Sequence, residues 1–315
     1  MASTETAPST DSAPSPQSEV QRELFRAFGD RLTADPPLEL NQIREMFEGF
    51  HELAAEPTQV CYEEVDAGGI PSLWCLPVGA ADDRVMLFFH GGGFVTNTAS
   101  SHRKMAAHLA KAAGVRGLVI EYRRAPEHHF PAQLEDAVVA YKWLLDQGYA
   151  PEHIFTCGDS AGGNLATSLP LKLRDDGLPL PAAIVAISPW YDMEAKGETL
   201  KTNAATDTLV RPGLGEGMTE MFLGESGSKT NPLANPLHAD MAGMPPIFLT
   251  AGSWEGLQDN ADRMAARAEG AGVDATLDIV HGMQHVFTFQ AGRCPEADQT
   301  IASIGRWVRP KLGLS

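Results

Sequence analysis

Residues 154–167 read Ile154-Phe155-Thr156-Cys157-Gly158-Asp159-Ser160-Ala161-Gly162-Gly163-Asn164-Leu165-Ala166-Thr167. A short apolar run with the look of a buried strand passes through Gly158-Asp159-Ser160-Ala161-Gly162 into a stretch able to open a helix. The pattern G-x-S-x-G at such a junction is that of a sharp strand-to-helix turn, which lifts a serine hydroxyl above the end of a sheet and places a helix N-terminus beneath it. Chance supplies so short a pattern in some chains, and an ordinary glycine-rich turn would also fit it. Its meaning therefore depends on what surrounds it.

Working outward, apolar strand candidates lie at 84–89, 117–122, 153–157, 183–187, 247–251 and 276–280, separated by helical patterns at 101–113, 134–147, 162–174 and 257–269. This alternation predicts a mostly parallel sheet buried between two layers of helices. Two further β-like runs, 58–65 and 70–77, meet at Ala67-Gly68-Gly69 and read as an antiparallel hairpin at the sheet edge, which brings the expected strands to eight. Before them, residues 20–53 carry apolar side chains at helical spacing and break at Asp35-Pro36-Pro37, giving two amphipathic helices. Between the strands ending at 187 and starting at 247 lie about 60 residues, far more than a βα connection needs. They are expected to form an inserted element with helical pieces, one at 212–222, that packs with the N-terminal helices over the C-terminal edge of the sheet, where open α/β sheets bind ligands. The expected division is a disordered tail at 1–18, cap helices at 19–55, an α/β catalytic domain at 56–191 and 236–315, and an inserted cap segment at 192–235.

The composition narrows the function. The chain has 315 residues, 43% of them hydrophobic, with 24 Lys and Arg against 41 Asp and Glu, a net charge of −17. That length and apolar content support a large core. The acidic balance offers no basic surface for nucleic acid or anionic lipid. No apolar run reaches bilayer length, and the Ser/Thr/Pro/Ala-rich first 18 residues have no basic start followed by an apolar stretch, so no membrane contact and a cytoplasmic location are expected. The four cysteines, Cys61, Cys75, Cys157 and Cys294, have no metal-binding or C-x-x-C spacing and read as buried thiols. Cys61 and Cys75 flank the hairpin turn, and facing each other across it they would be placed to pair.

A second glycine-rich stretch, His90-Gly91-Gly92-Gly93-Phe94, follows the strand at 84–89. Three consecutive glycines carry an entropic cost, and close approach of backbone amides to developing negative charge gives them a purpose. The spacing matches no dinucleotide or P-loop fingerprint. Gly92 and Gly93, with Ala161, are therefore assigned as oxyanion donors. A serine needs a base, itself oriented by an acid. His285, in the loop after the last strand candidate, is preferred over His281. Glu255, in the loop after the strand at 247–251, is preferred over Asp259, which falls inside the following helix, and over Asp192, which opens the insertion. Phe94, Trp190 and Phe287 are candidate pocket walls, although core packing explains each about as well.

On His90 to Phe94, on Tyr122-Arg123-Arg124-Ala125-Pro126-Glu127-His128 through Leu134-Glu135-Asp136-Ala137, on Gly158 to Asn164, and on the Glu255 and His285 loops, the chain resembles the bacterial hormone-sensitive-lipase family of α/β-hydrolases. The likeness runs from about residue 85 to 290 and implies an α/β-hydrolase fold with a helical cap. It also implies that Ser160 is the nucleophile, His285 the base, and Gly92, Gly93 and Ala161 the oxyanion hole. Glu255 stands where many members have Asp, which places the chain nearest the subset resembling acetyl-ester and terpene-lactone hydrolases; Arg124 stands where Leu is usual. The expected activity is hydrolysis of short- to medium-chain carboxylic esters through an acyl-enzyme, on a small-molecule ester, with no cofactor or metal and with room for a homodimer. A lactone hydrolase would use the same residues. A non-catalytic small-molecule receptor, known on this fold, lacks the histidine that His285 supplies here.

Overall fold

A computed structural model describes residues 13–210 and 213–315. Eight strands, β1 (Val60–Asp66), β2 (Pro71–Pro77), β3 (Ala81–Phe89), β4 (Val115–Ile120), β5 (Ile154–Asp159), β6 (Ala183–Ile187), β7 (Ile247–Gly252) and β8 (Ala275–Val280), form one sheet in the order β1-β2-β4-β3-β5-β6-β7-β8. The hairpin β1-β2 and the β2-β4 pair are antiparallel, and all remaining pairs are parallel. The two halves of β3 show why the central strands read as continuous apolar runs. Val85, Leu87 and Phe89 enter the core on one face and Met86 and Phe88 enter the core on the other, so neither face can be polar.

The helices are α1 (Glu19–Leu32), α2 (Leu40–Glu48), α3 (Ala99–Ala113), α4 (Ala132–Asp146), α5 (Ala161–Asp175), the single turn α6 (Thr199–Thr202), α7 (Leu214–Leu223), α8 (Gln258–Gly270) and α9 (Pro295–Val308). Leu134 and Leu144 of α4, Leu165 of α5 and Met264 of α8 pack on one face of the sheet. Met105 of α3 and Ile301 and Ile304 of α9 pack on the other, together with Phe25, Phe47 and Phe50 from the N-terminal helices. The helix α9 was not anticipated from sequence; its cue is a proline at the first turn followed by Ala297, Ile301, Ile304 and Val308 on one buried stripe.

Two expectations need correction. The tail expected over residues 1–18 falls partly on residues 1–12, outside the described ones, but its last residues are built into the fold: Ser15 N–H and Oγ both donate to Glu296, each at 2.7 Å, and Pro16–Ser18 forms a 3-10 turn leading into α1. A serine and a proline-led turn can anchor a chain without any apolar residue, which is why composition missed it. Cys61 and Cys75 do not face each other. In the hairpin register Cys61 lies opposite Leu76 and Cys75 opposite Tyr62, so the thiols project to opposite sides; Cys75, Cys157 and Cys294 are buried as expected, Cys61 on the edge strand is exposed against that expectation, and all four are free. The expected helix at 212–222 runs from Leu214 to Leu223, and Pro212 lies outside the described residues. Among the described residues no helix is long and apolar enough to cross a membrane.

Candidate active site

Ser160 occupies the one-residue turn between β5 and α5, with φ 53° and ψ −119°, a backbone region that costs a non-glycine residue roughly 1–3 kcal/mol. Hydrogen bonds from three directions hold it there. Its N–H donates to Ile187 O at 2.9 Å, and its carbonyl accepts Asn164 N–H at 3.1 Å and Trp190 N–H at 2.9 Å. Gly158 and Gly162 are demanded by space. A methyl group on Gly162 would overlap the Phe89 carbonyl, and one on Gly158 would overlap the backbone of Gly162. Among the described residues the Ser160 hydroxyl takes part in no hydrogen bond, and it opens into a cavity of about 250 Å³ that His285, Gly92 and Gly93 also line.

The glycine loop after β3 is tied down from both sides. Gly91 N–H is shared between Asp159 Oδ1 and His102 Nε2, both at 3.2 Å, and His102 Nε2 also lies 3.2 Å from Asp159 Oδ2. Asp159, the neighbour of Ser160, thus fixes the glycine loop against the serine turn. On the other side the His90 ring stacks on Tyr122 at 4.1 Å, and Tyr122 Oη donates to His90 O at 2.6 Å. Burial first, and the nearby His102 next, push the His90 imidazole well below the usual histidine range, so it is neutral. Gly92 and Gly93 have φ of +104° and +62°, and the Gly92 carbonyl accepts Val95 N–H at 3.0 Å and Thr96 N–H at 2.8 Å. With that carbonyl turned into the loop, the N–H groups of Gly92 and Gly93, like that of Ala161 at the first turn of α5, donate to no other described residue. Three unspent donors thus stand around the serine turn.

Glu255 is 0% exposed and His285 6% exposed. Glu255 Oε1 lies 3.2 Å from His285 Nδ1, while Oε2 accepts Ser188 Oγ at 2.7 Å and Gly252 N–H at 2.9 Å. Burial alone would lower the His285 pKa. The hydrogen bond and charge of Glu255, then the charges of Asp207 and Asp159, outweigh it and raise the imidazole above its ordinary 6.5. The rival carboxylates are committed elsewhere: Asp192 and Asp259 share the Arg263 guanidinium at 2.8 and 3.1 Å. The His281 ring packs edge-on against Trp254.

Of the three candidate pocket walls only Trp190 lines the cavity. Phe94, at φ 63°, is instead stacked on Phe222 at 3.9 Å. Phe287 is buried with Met283, Cys294 and Ala297 in a separate small cluster beneath α9. Its neighbour Val286, at φ 49°, turns the chain so that Val286 and not Phe287 lines the cavity. The walls missed from sequence include Phe25, Phe47 and Phe50 of the N-terminal segment and Met218 of α7. Two supporting groups were also missed. Gln284 Oε1 accepts Thr208 N–H at 3.0 Å, and Asp207 Oδ2 accepts Gly256 N–H at 2.6 Å, so the insertion clasps both the His285 loop and the Glu255 loop. Neither residue sits in a pattern with a local chemical signature.

A family model described as the alpha/beta hydrolase fold matches residues 86–289. An acetyl-hydrolase of Streptomyces hygroscopicus is 36% identical over 300 residues, covering 95% of this chain and 98% of that protein. The esterase LipU of Mycobacterium tuberculosis is 32% identical over 235 residues, 73% of this chain and 79% of that one. Among solved structures, an esterase from the bacterial hormone-sensitive lipase family superimposes with a TM-score of 0.91 at 40% identity, covering 96% of this chain and 100% of the other. The chain belongs to the α/β-hydrolase family, within its bacterial hormone-sensitive-lipase branch.

Proposed function

We propose that this protein hydrolyses carboxylic esters by transferring the acyl group to Ser160. The observation that carries the reading is the convergence, on one largely apolar cavity, of a half-buried serine on a strained turn, a histidine held at Nδ1 by a buried carboxylate, and the unspent amides of Gly92 and Gly93, with that of Ala161 next to the serine. Fixing Nδ1–H toward Glu255 leaves Nε2 as the basic nitrogen. His285 takes the Ser160 proton as Oγ bonds to the acyl carbon. The carbonyl oxygen becomes anionic and receives the N–H groups of Gly92, Gly93 and Ala161, an interaction worth several kcal/mol in the transition state. The Glu255 carboxylate stabilises the imidazolium, which then protonates the leaving alcohol. Water, deprotonated by the same imidazole, cleaves the acyl-enzyme by the reverse order of steps and returns Ser160 with a carboxylic acid.

The helices of residues 19–55 and the insertion at 192–235 serve as the cap over this cavity, and the substrates are esters of short to medium acyl chain. Turnover of p-nitrophenyl butyrate, with labelling of Ser160 by a fluorophosphonate, tests the assignment. The wild type should do both and Ser160→Ala neither. A fluorophosphonate adduct mapped to another residue would overturn the nucleophile.

A further inference from the structure

The cavity above Ser160 has a partition. Met218, Leu209 and Leu214 line it and also line a second cavity of about 270 Å³ on their far side. That chamber is lined by Leu32 of α1, Ile43 of α2, Met221 of α7 and Val95 just beyond the glycine loop, it opens to solvent where the exposed Thr33 and Gly213 border it, and no charged side chain among the described residues lines it. Nothing so far assigns it a role.

Resting on the ester-hydrolase reading above, we infer that the chamber behind Met218 receives the distal methylenes of the acyl chain, with Met218 as the movable partition, and that the protein is therefore selective for medium-length acyl groups. The tetrahedral carbon fixes directions. Its oxyanion faces Gly92 and Gly93, and its leaving oxygen must face His285 to be protonated, so the acyl substituent departs on the side away from His285. The second chamber is on that side in composition: it is bounded by Val95 and Thr96, which directly follow the glycine loop, and by no residue of the Glu255 or His285 loops. Met218 marks the passage, since a methyl group built on Gly93 would fall on its sulfur. An unbranched thioether side chain with several rotatable bonds is suited to swinging aside for an alkyl chain. An apolar, uncharged chamber rewards each methylene it buries by about fourfold in kcat/KM.

Gly217 provides a clean plug. It borders the second chamber and not the first, a Cβ built on it meets nothing within 4 Å, and its φ lies in the ordinary helical range, so Gly217→Phe fills space and adds helix propensity without backbone strain. The readout is the ratio of kcat/KM for p-nitrophenyl octanoate to that for p-nitrophenyl acetate. Gly217→Phe should lower this ratio by about tenfold or more, and Met218→Ala should raise it. The proposal is overturned if the ratio ignores Gly217→Phe, or if the substitution instead changes the preference between hexyl acetate and ethyl acetate, which would assign the chamber to the alcohol. A wild type that hydrolyses short esters with an unresponsive ratio removes only the chamber's role. A wild type that turns over no ester removes the esterase reading and the chamber's role with it.

Discussion

Ser188 Oγ donates to Glu255 Oε2 at 2.7 Å and at the same time accepts the Val286 amide at 2.9 Å, so one hydroxyl joins the acid to the loop that carries His285. Ser188→Ala leaves a buried carboxylate oxygen and a buried N–H without that partner, which should cost about 1–3 kcal/mol of stability. It should also lower kcat about tenfold with little change in KM, because the imidazole loses orientation and the pocket keeps its walls. Urea unfolding and steady-state kinetics on a short p-nitrophenyl ester measure the two effects separately.

The three carboxylates that compete in the sequence are separated by their partners. Only Glu255 touches His285, whereas Asp192 and Asp259 both serve Arg263. Glu255→Gln should reduce kcat by about a thousandfold or more, by analogy with removal of the acid in other serine triads. Asp259→Asn should stay within a few-fold of wild type. A collapse of kcat in Asp259→Asn alone would exchange the roles.

The pH profile follows from the direction of the His285 shift. A general base works unprotonated, so kcat/KM should rise with pH through a limb lying above 6.5, the ordinary histidine value from which His285 is raised. Asp207 is among the charges that raise it, and its carboxylate accepts Gly256 N–H at 2.6 Å and Leu209 and Val210 N–H at 2.8 Å each. Asp207→Asn keeps an acceptor but removes the charge, which favours the neutral ring, and should move the acidic limb to lower pH. Profiles of kcat/KM for both proteins check the sign, and an unmoved limb would leave Asp207 with packing alone.

Gly162→Ala sets a methyl group against the Phe89 carbonyl, which is backbone and cannot rotate away. The variant should lose about 2–3 kcal/mol of stability, typical of overpacking in a close-packed site. A lower urea midpoint with an unchanged slope is the expected result.

The parts of the site that could be read from sequence are those whose chemistry is local. The serine turn needs its glycines within four residues, and the oxyanion loop shows as an uninterrupted run from Gly91 to Gly93. Glu255 and His285 each stand in a loop after a recognisable strand. Ser188 and Asp207 were invisible because their roles are relations across 67 and 49 positions, to Glu255 and to Gly256, and a serine before a proline or an aspartate in a loop announces nothing. Phe94 and Phe287 do not line the cavity for a related reason: composition marks a ring as apolar but not its neighbours, which are Phe222 for the one and Met283, Cys294 and Ala297 for the other. The fold was legible at the level of strands because both faces of the sheet are covered, which makes each central strand a continuous apolar word. The anchoring of Ser15 on Glu296 depends on two polar groups far apart in the chain and left no such trace.

Gln21 of α1 is fully buried, and its side-chain amide donates to the carbonyls of His285 and Val286 at 2.8 and 3.3 Å. The N-terminal helix is thereby fastened to the main chain of His285 itself. Any swing of α1 outward to admit a bulky molecule must break those two bonds, so movement of the N-terminal helix and the placement of the imidazole are mechanically coupled.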